Sequence, residues 1–385
     1  MENELLEETG YVGDIPEGWR WVKLGDEIEL LYGKGLTEKE RKNGIYPVYG
    51  SSGIIGYHNN YLVKGPGVII GRKGSVGEVN LSKTDFYPID TTYYLKLKND
   101  NDIFFFYYLL KTLRLNEINS HSAVPGLSRE DIYSLYIPLP PLPEQKAIAE
   151  VLSSIDDKIE LLHRQNKTLE ETAMTLFRQW FIEPTKDGLP DGWEEVELYK
   201  LGQIICGKTP SKNKPEYFGG KIPFIKIPDM HGNVFVFKTE DSLSEIGAKT
   251  QKNKTLPERS ICVSCIATVG LVSMNAFISQ TNQQINSIIP YKEFYRYFLY
   301  LKMKSMKEEL IAMASGGTAT LNLNTTEFSK IKIEIPKEDY LHVFHEKTKY
   351  IFEKIFINTS QIQTLEKLRD TLLPKLMSGE IRVKI

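Results

Sequence analysis

The clearest chemistry in the chain sits in one short run, Gly71-Arg72-Lys73-Gly74-Ser75-Val76-Gly77. Its glycines let backbone come close to a ligand, and Arg72 and Lys73 add charge beside the Ser75 hydroxyl, which suits a phosphate. It is not a Walker A loop, because the G-K-[ST] ending after four intervening residues is absent. Further on, Lys208, Lys212, Lys214, Lys221 and Lys226 stand among a single acid, Glu216, with Thr209, Ser211 and Asn213 interleaved. Charge mixed with hydroxyls again fits phosphate contact. Asn282, Gln283 and Gln284 are amides, the side chains that pair with adenine edges. Lys34, Ser51, Ser52, Thr91 and Thr92 are further candidates of the same kind. Each group also has a plainer reading: a β-turn with a solvated basic pair, a solvated lysine-rich loop, and strand-end caps.

Motifs for catalysis are missing from the sequence. There is no N-P-P-[YF] string, no glycine-rich nucleotide loop opening a helix after a strand, and no P-loop. Cys262 and Cys265 form a lone C-x-x-C without a second ligand pair, which argues against zinc and for buried strand or loop residues. Cys206 completes an odd count. His342 and His345 lack an H-E-x-x-H frame and are expected at a surface or interface; His58, His121, His163 and His231 are scattered. A formal net charge of −2 excludes a crude electrostatic nucleic-acid binder, so any basic surface must be local. No apolar run reaches the roughly 18 residues of a membrane span. The acidic start, MENELLEETG, is unlike a signal peptide. A cytoplasmic protein is expected.

The chain repeats itself. Pro16-Glu17-Gly18-Trp19 recurs as Pro190-Asp191-Gly192-Trp193, and Gly74-Ser75-Val76-Gly77 has an echo in Ala267-Thr268-Val269-Gly270. Residues 155–183 recur as 351–379 at an offset of 196; Ile155, Lys158, Ile159, Leu169 and Glu170, for example, return as Ile351, Lys354, Ile355, Leu365 and Glu366. The order is globule, helix, globule, helix. The globular halves read as α+β modules. YPVYG, GVIIGRKGSVGEV and TTYYLKL are strand-like in the first, as are KIPFIKI, VFVF, SICVSCIATVGLVSM and INSIIP in the second. IFFFYYLLKTLRL and EFYRYFLYLKMKSMKEELIAMA read as helices.

After Pro138-Leu139-Pro140-Pro141-Leu142-Pro143 the character changes. A helix of about 57 Å is expected from about Glu144 to Phe181, which hold no proline or glycine between them. Its apolar seam is Ile148, Leu152, Ile155, Ile159, Leu162, Asn166, Leu169, Ala173, Leu176 and Trp180, in coiled-coil spacing. Adding the offset gives Phe344, Thr348, Ile351, Ile355, Asn358, Ile362, Leu365, Arg369, Leu372 and Leu376, with Pro374 expected to end or kink the helix late. Two matched seams should pair. Antiparallel pairing would set Asn166 against Asn358, a single polar layer that fixes register.

With these strings in view, the chain resembles the specificity subunits of Type I restriction–modification enzymes. PLPPLPEQKAIAEVLSSIDDKIELL resembles their central conserved region, and LRDTLLPKLMSGEIRV their distal conserved helix. YGSSGIIGYHNNYLVKGPGVIIGRKGSVGEVNL with FYPIDTTYYL resembles one type of target-recognition domain, and GKTPSKNKPEYFGGKIPFIKIPDM with TNQQINSIIP another. The resemblance implies an α+β fold with two target-recognition domains, 1–140 and 184–336. A central helix at 141–183 and a distal helix at 337–385 would form an antiparallel coiled coil about a pseudo-twofold. It implies a DNA-binding subunit without catalysis that reads a split double-stranded target. Its partners would be methyltransferase (M) and restriction/motor (R) subunits, and AdoMet, ATP and Mg2+ would belong to them, in a prokaryotic cytoplasm without membrane attachment. The second module departs from the first in having C-I-A-T where the first has the basic loop, so the two should not contact DNA identically. A recognition subunit of a motor-less modification system and a stand-alone nucleotide-binding enzyme are the alternatives.

Overall fold

The computed structural model describes residues 15–118, 126–315 and 321–384. His121 and the acidic opening residues lie outside them. The chain divides into two units, one formed by residues up to Ile159 together with those from Thr364, the other by Glu160–Gln363.

In the first unit Gly18, at φ +87°, turns the chain into β1 (Arg20–Lys23), which pairs antiparallel with β9 (Tyr136–Leu139), Val22 facing Ile137. Between them lie α1 (Leu24–Glu27), β2 (Ile28–Tyr32), β3 (Tyr46–Gly50), β4 (Gly53–His58), β5 (Gly67–Gly71), β6 (Val79–Ser82), β7 (Tyr87–Pro88), β8 (Thr92–Leu97), α2 (Ile103–Thr112) and α3 (Arg129–Ser134). They build a four-stranded sheet, β2-β8-β5-β6, and a three-stranded one, β4-β3-β7. All five residues of β5 are buried, as its unbroken apolar run requires of a strand covered on both faces. Phe105, Phe106 and Leu109 of α2 join the same core, and the helix starts where Asp102 accepts from Phe105 N at 2.8 Å.

The second unit repeats the plan. Gly192, at φ +79°, leads into β10 (Glu194–Glu197), which pairs antiparallel with β19 (Lys332–Ile335). The intervening strands are β11 (Gly202–Cys206), β12 (Phe218–Ile225), β13 (Phe235–Val236), β14 (Asp241–Leu243), β15 (Ile261–Ser264), β16 (Val272–Asn275), β17 (Gln280–Thr281) and β18 (Ile285–Pro290). They form β11-β18-β15-β16-β13 and β14-β12-β17. The parallel pair β3/β7 thus has its counterpart in β12/β17. Cys262 and Cys265 are buried in and beside β15, and burial pushes their thiols up to about 12 and about 11. The expected single helix over 293–314 is two, Arg296–Ser305 and Lys307–Ala314, broken at Met306. Of the two histidines expected at a surface or interface, His342 is exposed, whereas His345 is buried where the distal helix packs on the module, stacked on Tyr297 at 5.1 Å, and burial holds it below the ordinary histidine range.

Two long helices run through the units, Leu142–Phe177 (central) and Glu338–Ser378 (distal). They run antiparallel within each unit. In the second, Asn358 Nδ2 donates to Asn166 Oδ1 at 2.9 Å, and nearer the C-terminus of the central helix Phe177 meets Phe344 at 6.3 Å. In the first, Arg369 donates to Asp156 at 2.8 Å. Ile148, Leu152, Ile155, Ile159 and Leu162 are buried as the seam requires. The central α-helix ends at Phe177, short of Phe181, and a wider π turn covers Arg178–Ile182. Here Phe177 and Phe181 are the buried residues, while the expected Leu176 and Trp180 are half-buried against the same cluster. Pro374 does not end the distal helix, whose last turn is held by buried Leu376 and Met377. Among the described residues no helix is long and apolar enough to cross a membrane.

The prolines before the central helix deliver two buried polar residues. Glu144 accepts from Trp19 Nε1 at 3.0 Å and from Arg382 Nη2 at 2.8 Å. Gln145 donates to Asn101 Oδ1 at 2.8 Å and to Pro140 O at 3.0 Å, and accepts from Asp102 N. Every polar group in this clasp has a partner, which is what allows it to be buried.

Candidate nucleic-acid interface

In the first module the turn Gly33-Lys34 is stitched to the lead-in of β8: Gly33 N donates to Thr92 O and Lys34 N to Pro88 O, both at 3.1 Å. Gly33 is required here, since a Cβ would lie 2.1 Å from Ile89 O. The loop 71–77 is tied to the same segment, with Arg72 N donating to Thr91 O at 2.9 Å and Lys73 N to Thr91 O at 3.2 Å. Gly77 N closes the loop onto Gly71 O at 2.8 Å, with Gly74 at φ +79°. Ser51 lies against the loop, its Oγ 3.1 Å from where a Cβ on Gly74 would stand. The structure therefore gathers Lys34, Ser51, Arg72, Lys73 and Thr91 into one patch.

Arg72 is the anchored cation of that patch. Its Nη2 donates to Asp90 O at 2.9 Å, and its guanidinium stands 5.1 Å from the Tyr32 ring and 5.9 Å from the Tyr93 ring. Arg129 approaches the same Tyr32 ring at 4.8 Å and donates to Leu30 O at 3.4 Å. Tyr32 is half exposed; burial, with the Tyr32 hydroxyl beside it, pushes the Tyr93 hydroxyl up to about 12. Sequence reasoning missed Tyr32 and Arg129. Arg129 is distant from the loop in sequence and carries no motif; the fold delivers it because Leu127 N donates to Arg72 O at 3.1 Å.

The second module builds the same turn. Gly207 N donates to Ile285 O at 3.0 Å and Lys208 N to Thr281 O at 2.9 Å, and a Cβ on Gly207 would lie 2.1 Å from Asn282 O. Thr209 Oγ1 donates to Gln283 Oε1 at 2.6 Å, which joins the lysine loop to the amide run. Gln251, another residue sequence reasoning missed, holds Lys208 O at 2.7 Å. Lys208, Lys212 and Lys214 are exposed, and a hydrogen bond with the Tyr217 phenol raises Lys214 above the ordinary lysine range. Lys226 is committed inward, paired with Glu240 and Asp241 at 2.9 Å each.

Not every candidate faces outward. Thr92 is fully buried and its hydroxyl donates to Ile89 O at 2.8 Å, while Asn282 is buried, donates to Gln284 Oε1 at 2.8 Å and accepts from Gln284 N. Both shape the lead-in rather than face solvent. Ser52, Lys73, Ser75 and Gln283 are exposed, while Ser51, Thr91 and Gln284 are half-buried. Among the described residues no cluster of three or more His, Cys, Asp and Glu could hold a metal ion.

Comparison with known proteins gives one family. The family model described as "Type I restriction modification DNA specificity domain" matches residues 16–171 and again 190–367. The HindI specificity subunit of Haemophilus influenzae is 41% identical over 327 residues, covering 67% of this chain and 71% of that protein. The MjaIX specificity subunit of Methanocaldococcus jannaschii is 27% identical over 97% of this chain and 96% of its own length. The crystal structure of a Type I system S subunit from M. genitalium shares the fold, with TM-score 0.66 at 18% identity, covering 95% of this chain and 97% of that one. The twice-built module and its helix pair thus place this chain in the Type I restriction–modification specificity-subunit family, the non-catalytic component that determines which DNA target is recognised.

Proposed function

We propose that the chain reads a split target in double-stranded DNA, one half through the recognition domain at 1–140 and the other through that at 184–336. The helix segments 141–183 and 337–385 set the length of the unread gap and dock methyltransferase subunits, which restriction/motor subunits then join. AdoMet, ATP and Mg2+ serve those partners. The setting is a prokaryotic cytoplasm, in keeping with relatives from a bacterium and an archaeon.

The observation that supports this reading best is the repeated turn. Gly33-Lys34 and Gly207-Lys208 lie against matching strand lead-ins, with backbone bonds of matching pattern. Exposed cations and polar groups then flank each turn. Lys34, Ser51, Ser52, Arg72, Lys73, Ser75 and Thr91 contact DNA from the first domain, and Lys208, Thr209, Lys212, Lys214, Gln283 and Gln284 from the second. Lysines and hydroxyls take phosphates, and amides take base edges. Thr92 and Asn282 support them from behind, and the Asn166–Asn358 layer keeps the helix register.

Selection of bound duplexes from a randomised library tests the reading. The expected product is two short fixed blocks with a constant gap; one continuous block, or none, would overturn it. A heptad inserted at matched points of both helices adds about 10.5 Å of helix, or about three base pairs of DNA. The selected gap should lengthen accordingly while the blocks stay the same.

A further inference from the structure

Backbone hydrogen bonds match positions in the two modules, including several whose side chains differ entirely. Leu127 N donates to Arg72 O at 3.1 Å, and Leu323 N donates to Cys265 O at 2.9 Å. Gly77 N donates to Gly71 O, and Gly270 N to Ser264 O. With the Gly33 and Gly207 turns already matched, Tyr32 corresponds to Cys206, Arg72 to Cys265, Tyr93 to Asn286 and Arg129 to Thr325. The side chains respect the match: the Tyr93 hydroxyl donates to Leu127 O at 2.9 Å, and the Asn286 amide donates to Leu323 O at 3.4 Å.

What fills the matched place differs. In the first module two guanidiniums stand at about the same distance from one half-exposed ring, and neither forms an ion pair among the described residues. Arg72 Nε is buried without a hydrogen-bond partner there. In the second module the four small counterparts line a cavity of about 170 Å³ together with Gln283 and Asn324, and Thr325 Oγ1 donates to Asn286 Oδ1 at 2.9 Å.

We infer that this matched place is the base-reading position of each module, and that the first module uses it to read guanine through Arg72 and Arg129. The inference rests on the reading under Proposed function and deepens it. The chemistry separates a base from a phosphate. A guanidinium pinned by carbonyls and by a ring presents its fork in a fixed direction, which suits the paired O6 and N7 acceptors of guanine in the major groove. The freely exposed Lys34 and Lys73 beside it suit the backbone, which needs charge but little direction. Two like charges with no acid paired to them among the described residues also favour a ligand rich in acceptors. The second module offers an uncharged hydroxyl and amides at the same place, so it reads a different base pattern.

The test is library selection with the full chain and three variants, Arg129→Ala, Arg129→Lys and Thr325→Ala. Both Arg129 variants should relax one guanine position in one block, lowering discrimination there roughly ten- to hundred-fold, and leave the other block intact. Thr325→Ala should alter the other block alone. Arg129→Lys keeps the charge, so a loss shared with Arg129→Ala reports the fork and not misfolding. Uniform weakening across all sequences would make Arg129 a phosphate contact and overturn the inference, as would unchanged selection. If the unmodified chain selects no split target, the functional reading itself falls, an outcome visible before any variant is examined.

Discussion

The loops at 71–77 and 264–270 share a backbone and the closing hydroxyl-Val-Gly, but not the residues that open them. Gly74 sits at φ +79° and Ala267, its counterpart, at φ +64°, a conformation that glycine adopts freely and alanine does not. Arg72 and Lys73 in the first become Cys265 and Ile266 in the second, one fully buried and the other half-buried. The entries to the two helices diverge in the same way. Glu144, 1% exposed, closes a clasp with Trp19 and Arg382; Tyr340, at the position 196 residues on, is 39% exposed and packs on Trp180 at 4.9 Å. A duplicated scaffold has kept its hydrogen-bond frame while the side chains on it took separate tasks.

The largest difference should appear in stability at the helix entries. Glu144→Ala strands the Trp19 indole N–H and should cost about 1–3 kcal/mol. Tyr340→Phe keeps the ring and gives up one exposed hydrogen bond to Trp180 O, so it should cost at most about 1 kcal/mol. Thermal unfolding of the two variants side by side measures the gap, and equal losses would erase the distinction. Next comes charge on the loops. Replacing Arg72 and Lys73 together with alanine should lower the slope of binding against salt by about 0.9 for each phosphate no longer neutralised, whereas Ile266→Lys should raise it by up to about 0.9. Binding titrations at several salt concentrations decide; an unchanged slope returns loop 71–77 to a solvated turn.

Backbone strain should give a smaller effect of opposite sign in the two loops. Ala267→Gly should stabilise by up to roughly 1 kcal/mol, and Gly74→Ala should destabilise by about 1–2 kcal/mol, both read from denaturant midpoints. The smallest effect is at acid pH. Burial works to raise the Glu27 carboxyl, but hydrogen bonds from Asn99 and Asn101 and the Arg20 guanidinium outweigh it and hold it below the usual range. A carboxyl depressed in the folded state contributes stability above its unfolded value, and that contribution disappears as pH falls through the folded one. Glu27→Gln should therefore flatten the acid loss of stability without changing its neutral-pH slope. In the second unit Glu353 plays this part, held low by Arg259, so Glu353→Gln should do the same there.

Much of the frame was legible because it is periodic or repeated. The seam from Ile148 to Leu162 and the Asn166–Asn358 layer follow from spacing, and the strands at 46–50, 67–71 and 285–290 from their β-branched and aromatic runs. Orientation was less legible. Thr91 and Thr92 look alike in sequence, yet Thr91, just before β8, is half-buried and gives its carbonyl to the loop, while Thr92 is buried with its hydroxyl turned back onto Ile89 O. Arg129 joins Arg72 only through long-range strand and loop pairing, which no local pattern announces. The deeper burial of Phe177 and Phe181 goes with long-range aromatic packing against Phe298 and Phe344, which heptad spacing does not announce.

The first unit is assembled from both ends of the chain, and this sets an order of events during synthesis. Leu376 and Met377 belong to the same buried cluster as Trp19, Phe105 and Ile148, and Arg382 completes the clasp on Glu144. The second unit, Glu160–Gln363, is continuous. At about 5–20 residues per second, a ribosome needs roughly 10–40 s to make those intervening residues. The module translated first can gather most of its core, from Trp19 to Leu152, as it emerges, but the contribution of Leu376 and Met377 and the clasp of Arg382 on Glu144 close only after the intervening residues have been made.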